Sequence, residues 1–289
     1  MSIKNIIFLL PVYNDWKSLK IVLEKINKKV KKLNKKVFIL IVNDFSKNNF
    51  IKVKHFKFIN QIKILNLKKN LGSQKAISIG LKYLQQNKKN SIITILDSDG
   101  EDDVNKIPEM IKNANQNFDK VIVSQRTKRK ENFLFKSLYF THKILTFIFT
   151  WSWISFGNYS SFHIDNLKKI LKDKSSWLAI SATIAKNCVI KKVNAERKKR
   201  IAGISNVSFR NLIIHSFRIS AVFLYRSFFI SFFYILIFIN LNNFNLNKIT
   251  IAFIIFYNFI LILIVFLNNQ KEYKNSTKFI GKINILNIS

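Results

Sequence analysis

The sequence predicts an α/β domain on a mostly parallel sheet, followed by two membrane-spanning helices. Three observations carry that expectation. Short apolar runs alternate with helix-period segments through the first ~125 residues. Polar clusters close one apolar run after another, and two apolar segments of about 20 residues stand near the end of the chain.

Ile6 to Val12 is a first strand ending in PVYND. It lies too near the start for a signal peptide, since no small-residue cleavage site follows, and is expected to stay in the mature protein. Ser18 to Lys32 sets Leu19, Val22, Leu23, Ile26 and Val30 at helical spacing under a solvated, lysine-rich face. Val37 to Val42 is a second strand ending in NDFS, and Ile62 to Leu67 a third, followed by NLGSQKAISIGL. Leu71 to Leu84 reads as a helix opened by Gly72 and Ser73. Ile92 to Leu96 is the fourth strand, and Lys120 to Ser124 the fifth, ending in QR. The polar signatures Asn14-Asp15, Asn43-Asp44, Asp97 to Asp102 and Arg126 all fall at carboxyl ends of strands, where open α/β sheets hold ligands.

The acids are distributed unevenly. The chain has 49 Lys+Arg against 15 Asp+Glu, yet Asp97, Asp99, Glu101, Asp102 and Asp103 crowd into SIITILDSDGEDDVNKIP. Their mutual repulsion calls for a cation, and the spacing Asp97-x-Asp99-x-Glu101 suits oxygen ligation of Mg2+ or Mn2+ shared with substrate phosphates. The alternative is a polar turn capping a helix that starts near Val104. All seven arginines lie between Arg126 and Arg226 in a chain that elsewhere uses lysine, which points to bidentate recognition of phosphate or carboxylate in that region. The formal charge of +34 is not read as a nucleic-acid surface. Lys, Asn, Ile and Phe are inflated together, and the aromatics fall in apolar runs instead of interleaving with the basic residues. Cys188 is the single cysteine, so no intrachain disulfide can form, which fits a reducing compartment.

Residues 133–156 are aromatic and apolar with scattered basic side chains, as a core helix or a helix lying in the membrane interface would be. Trp177 to Val193 reads as a mixed helix and short strand. Ile219 to Leu241 and Ile249 to Leu267 are the two expected spans. Arg210, Arg218 and Arg226 precede the pair and Lys271, Lys274 and Lys278 follow it, whereas the connection NNFNLNK holds one lysine. The positive-inside rule then puts both flanks in the cytoplasm, making 268–289 a cytoplasmic tail. Arg226, near the start of the first span, is expected to snorkel.

PVYND, IVNDFS, NLGSQKAISIGL, ILDSDGED, VSQR followed by KRK and Lys136, GNY, and R-x-x-G-x-S together resemble family-two glycosyltransferases of the GT-A fold. The resemblance runs from Pro11 to about Ser205, within a catalytic domain expected to span 1–210, and is greatest to the membrane-anchored branch around dolichyl-phosphate mannose synthases and bactoprenol glucosyltransferases. It implies that Pro11, Tyr13, Asp15 and Asp44 hold the base and ribose of a nucleotide-sugar, and that Asp97, Asp99 and Glu101 hold a divalent metal on its diphosphate. It further implies that Arg126, Arg129 and Lys136 hold the acceptor phosphate while Arg200 and Ser205 close over the donor. Departures from the family pattern are Asp15 for Glu, Asn43 for the first of an Asp pair, Glu101 for Gln, and Asn158 for the Asp of Gly-Asp-Phe. An amide at 158 cannot accept a proton.

The leading expectation is inverting transfer of a sugar from a nucleotide-sugar to a polyprenyl phosphate at the cytoplasmic membrane face, a step of cell-envelope chemistry. Transfer to a hydroxyl of a lipid-linked glycan is the second enzymatic reading. It needs a general base, and none of the acids beyond Asp103 sits in the Glu-Asp pair that hydroxyl-directed relatives usually show. A non-catalytic basic membrane adaptor is the third, and it gives the acidic cluster no role.

Overall fold

The computed structural model describes residues 3–47, 56–86, 90–126, 133–202, 209–241 and 244–287. The chain begins β1 (Asn5–Val12), α1 (Trp16–Val30), β2 (Lys36–Asn43), β3 (Gln61–Leu67), α2 (Ser73–Gln86), β4 (Ser91–Ile95), α3 (Ile107–Gln116) and β5 (Lys120–Arg126). The five strands and the helices α1 and α2 lie within two residues of their expected limits, and α3 follows a 3-10 turn at Val104–Lys106. The chain continues with α4 (Phe133–Thr150), β6 (Phe156–His163), the short helices α5 (Leu167–Ile170) and α6 (Ser175–Leu178), α7 (Ile180–Asn187) and β7 (Val189–Ala195). Then follow α8 (Phe209–Ala221), α9 (Leu224–Asn240), α10 (Phe244–Leu267), α11 (Gln270–Lys274) and β8 (Ile280–Asn287).

The eight strands among the described residues join one sheet in the order β7-β5-β6-β4-β1-β2-β3-β8. β4-β1-β2-β3 is parallel, and so is the β5–β7 pair. β6 runs antiparallel between β4 and β5, and β8 runs antiparallel along β3. The central strands are apolar almost throughout because helices cover both faces. Phe8, Leu10, Ile39, Ile41 and Ile64 pack with Leu19, Val22 and Met110 of α1 and α3, whereas Leu9, Leu40, Val42 and Leu65 pack with Ala76, Ile77 and Ile180 of α2 and α7. α2 approaches closely at Gly80, where a Cβ would stand 2.5 Å from Leu9 Cδ1 and 2.9 Å from Val42 Cγ2.

The structure departs from the sequence reading in four places. Residues 133–156 are not one helix: α4 stops at Thr150 and the chain enters β6 at Phe156. Residues 219–241 are not one straight span either, because α8 and α9 meet at 85° across the break after Ala221. Among the described helices one segment, Asn247–Leu267, is by itself long and apolar enough to cross a membrane, with 21 residues at mean hydropathy 2.8. Residues expected as a tail instead form α11 and the edge strand β8. Finally, Arg226 donates to the Thr150 carbonyl at 3.3 Å and to Ser152 Oγ at 3.0 Å, so it closes the end of α4.

Candidate active site

The site forms at the carboxyl ends of β1, β2, β3 and β4, where parallel strands release their loops on one side of the sheet. At the end of β1, buried Pro11 and then exposed Tyr13 lead into Asn14, whose φ of 54° lets the chain turn sharply. Asn14 N donates to Ser46 Oγ at 2.9 Å and Asn14 Oδ1 accepts from Lys47 N at 2.8 Å, which fastens the loop after β1 to the loop after β2. Asp44 is buried. One of its oxygens accepts from Leu71 N at 2.7 Å and the other from Gly72 N at 2.8 Å. Burial raises its pKa, and those two N–H groups oppose the shift. Asp44, expected to meet the nucleotide, therefore also ties the β3–α2 loop to β2.

The acid cluster after β4 separates into two functions. Asp102 and Asp103 hold the turn: Asp102 Oδ2 accepts from Asp97 N at 3.0 Å, and Asp103 Oδ1 accepts from Asn105 N at 3.2 Å, capping the short 3-10 turn before α3. The polar-turn alternative holds for these two residues. Asp97 and Asp99 are half-buried, and Asp99 faces the segment that follows β7. Asp99 Oδ1 accepts from Glu101 N at 3.0 Å, and Asp99 Oδ2 accepts from Arg200 Nη1 at 3.3 Å. Arg200 Nη2 reaches Asp15 Oδ2, so one guanidinium bridges the loops after β1 and β4.

Residues 196–202 run along the cluster. Lys198 N donates to Glu101 O at 2.8 Å, and Ile201 N donates to Asp99 O at 3.0 Å. Gly100, with φ of 80°, lies under Ile201, and a Cβ there would run into that side chain. Glu101 pairs with Arg197 through Nε at 2.8 Å and through Nη2. Of the expected ligand trio, Glu101 is thus held by Arg197, and among the described residues no three Asp, Glu, His or Cys side chains group as a metal site. Arg197 supplies the countercharge for Glu101. Asp97 and Asp99 retain the donor chemistry a hard cation requires. Burial, then the charge of Asp97, raises the Asp99 pKa to about 6, and the Arg200 guanidinium beside it opposes the shift.

Asp15, Asp97, Asp99 and Arg200 are thus brought together. Arg126 closes β5 opposite Ala195, and Lys136 lies on α4. Their side chains, together with Arg129 and Ser205, lie outside the described residues. Sequence reasoning singled out Arg197 without a role, and missed Gln74 and the partnership of Asn158 with Asp97. Arg197 carried a signal, since it stands three residues before Arg200 in the one arginine-bearing region.

Residues 7–176 match the sequence profile of Glycosyl transferase family 2, more than half of the chain. The chain belongs to this family. A relative from Bacillus subtilis (strain 168), the uncharacterized glycosyltransferase YkcC, is 30% identical over 128 residues, 44% of this chain and 38% of the relative. The undecaprenyl-phosphate 4-deoxy-4-formamido-L-arabinose transferase of Photorhabdus laumondii is 25% identical over 223 residues, 73% of this chain and 66% of its own length. The chain therefore spans less than two thirds of these relatives. The GT-A fold of family 2 is also seen in glucosyl-3-phosphoglycerate synthase from Mycobacterium tuberculosis, solved with Mn2+, UDP-glucose and phosphoglyceric acid. That structure aligns at TM-score 0.51 and 12% identity over 78% of this chain and 80% of that one.

Proposed function

We propose that the chain is an inverting glycosyltransferase that moves a sugar from a nucleotide-sugar to a polyprenyl phosphate at the cytoplasmic face of a membrane. The observation that carries this reading is the convergence of Asp15, Asp97, Asp99 and Arg200 from three separate loops at the carboxyl edge of a family 2 sheet. A non-catalytic adaptor would have no use for two neighbouring carboxylates gathered at this edge.

Asp97 and Asp99 would hold Mg2+ or Mn2+, which neutralises charge on the departing nucleoside diphosphate when bound. Pro11, Tyr13, Asp15 and Asp44 would surround the nucleoside. Arg200 bonds to Asp15 and Asp99 and can exchange one carboxylate for a diphosphate oxygen without losing its charge partner. Ser205 would follow it over the donor, and Arg126, Arg129 and Lys136 would orient the acceptor phosphate. Asn158 offers an amide where a base would stand, which suits an acceptor that is already ionised and needs no proton removed.

Membrane lipid is the expected surface partner. α10 is 24 residues, about 36 Å, and α9 is 17 residues, about 25 Å, against a hydrocarbon layer of about 30 Å. β8 returns to the catalytic sheet, so a chain that leaves through α9 comes back through α10 to the side of the site. This supports a hairpin with both flanks cytoplasmic. α4 contributes exposed Phe140, Phe147 and Ile148, and Trp151 and Trp153 follow it, aromatics suited to the interface.

The test is transfer by the full chain in proteoliposomes with a panel of labelled nucleotide-sugars and a polyprenyl phosphate, with products identified by mass spectrometry. A glycosyl polyprenyl phosphate is expected. Asp99→Asn should reduce its formation at least about a hundredfold with an unchanged melting temperature, and Arg126→Lys should raise the acceptor KM more than the donor KM. Transfer to a glycan hydroxyl with unaltered acceptor kinetics in Arg126→Lys would replace this reading by the second one. Absence of metal-dependent nucleotide binding would leave only the adaptor.

A further inference from the structure

We infer that Gln74 and Asn158 form a one-directional amide relay that orients the Asp97 carboxylate, and that both are positioning residues for the donor site. This rests on the reading of Asp97 as a donor-site carboxylate. The relay begins at Ile180, the first residue of α7. An N–H in the first turn of a helix has no partner inside that helix, and Ile180 N donates to Gln74 Oε1 at 2.8 Å. A backbone N–H can only donate, so the Gln74 oxygen must face it and Gln74 Nε2 must face the other way. Gln74 Nε2 donates to Asn158 Oδ1 at 3.2 Å, and Asn158 Nδ2 donates to Asp97 Oδ1 at 3.3 Å.

Each link has one permitted direction. Turning either amide over would set N–H against N–H at one end and oxygen against oxygen at the other. The chain of bonds thus begins at an obligate donor and ends at a carboxylate, and it crosses α7, α2, β6 and the loop after β4. It also gives a reason for the amide at 158. A carboxylate there would face Asp97 at hydrogen-bond distance, and two like charges repel where one hydrogen bond now holds. The antiparallel strand β6, inserted beside β4, is what brings Asn158 to Asp97.

Gln74→Glu is nearly isosteric and separates positioning from packing. A carboxylate at 74 still accepts from Ile180 N but has no N–H for Asn158, whose amide then turns its donors to that carboxylate and its oxygen to Asp97. The experiment is a double-mutant cycle on the full chain in detergent, with Gln74→Glu, Asn158→Ala and the pair, and Asn158→Ser in place of Ala should the latter fail to fold. The readout is the Mn2+-dependent Kd of UDP, GDP, CDP and ADP by calorimetry, alongside melting temperature. Each single variant is expected to weaken the Kd of the preferred nucleotide roughly tenfold, the scale of one hydrogen bond to a charged group. The pair should weaken it no further than Asn158→Ala alone, because Gln74 acts only through Asn158. Additive losses, or a Kd unchanged in Gln74→Glu, would overturn the relay while leaving the donor site standing. Failure of the unmodified chain to bind any of the four nucleotides would overturn both.

Discussion

Residues 219–241 and 249–267 carry nearly the same apolar signal, yet the second is one continuous helix and the first is broken at 85°. Neither Pro nor Gly stands at the break. Its cause is tertiary. Ala221, Val222 and Phe223 are buried in the core shared with α2 and α7, and Ser220 Oγ lies 3.3 Å from Thr146 Oγ1 of α4. The turn is closed by Phe223 N donating to Ser220 O at 2.9 Å, and Ser227 N donating to Phe223 O at 2.9 Å starts the new helix. Arg226 then reaches across to α4. α10 is held differently. Its buried Asn258 accepts from Ser227 Oγ at 3.2 Å and donates to Ser231 Oγ at 2.7 Å, fixing it to α9. Hydropathy reports where a segment can be placed, whereas side-chain partners decide whether it stays straight.

The largest expected effect that would break this comparison is all-or-none. If the bent segment and the straight one form a hairpin, a cysteine at Asn243 in a Cys188→Ser background should react with an impermeant thiol reagent in intact cells, and one at Lys282 should not. The reverse pattern would mean that β8 and the site face outward. A smaller effect is expected at Asn258. Asn258→Leu removes both serine contacts and should cost about 1 kcal/mol of stability, read as a lowered melting temperature in detergent. An unchanged melting temperature would show that apolar packing alone holds α9 to α10.

The smallest concerns the junction that Arg226 closes. Trp151 N donates to Phe147 O at 2.7 Å, a helix-ending bond made with φ of 48°, a conformation that favours Gly over a bulky side chain. Trp151 is nonetheless 63% exposed. Trp151→Gly should therefore raise stability by up to about 1 kcal/mol, while weakening quenching of tryptophan fluorescence by brominated lipid in proteoliposomes. A loss of stability would mean that the ring packs against protein instead of lipid.

The sheet was legible because its strands are short apolar runs ended by polar clusters, and the same clusters marked Asp15, Asp97 and Asp99. β6 was hidden. Its segment FGNYSSFH alternates poorly, since Ser160 and Ser161 are buried and satisfied locally: Ser161 pairs with Thr94 at 2.8 Å and Ser160 bonds to Asn158 O at 3.0 Å. β8 was hidden for a related reason. It is an edge strand whose pattern, IGKINILN, is too mixed to separate from a tail.

Which segments must leave water, and which residue types meet at strand ends, could be read along the chain, because burial and local turn chemistry are properties of a segment and its neighbours. The parallel core, the apolar close and the acid cluster were specified in this way. Partnerships across long separations needed the folded molecule: Arg200 with Asp15 and Asp99, Arg197 with Glu101, Asn158 with Asp97, Arg226 with α4, and β8 with β3. A charge or an amide can satisfy itself on many partners, and the pattern along the chain does not rank them. The sheet order ranks them, by bringing one set within hydrogen-bond reach and removing the rest.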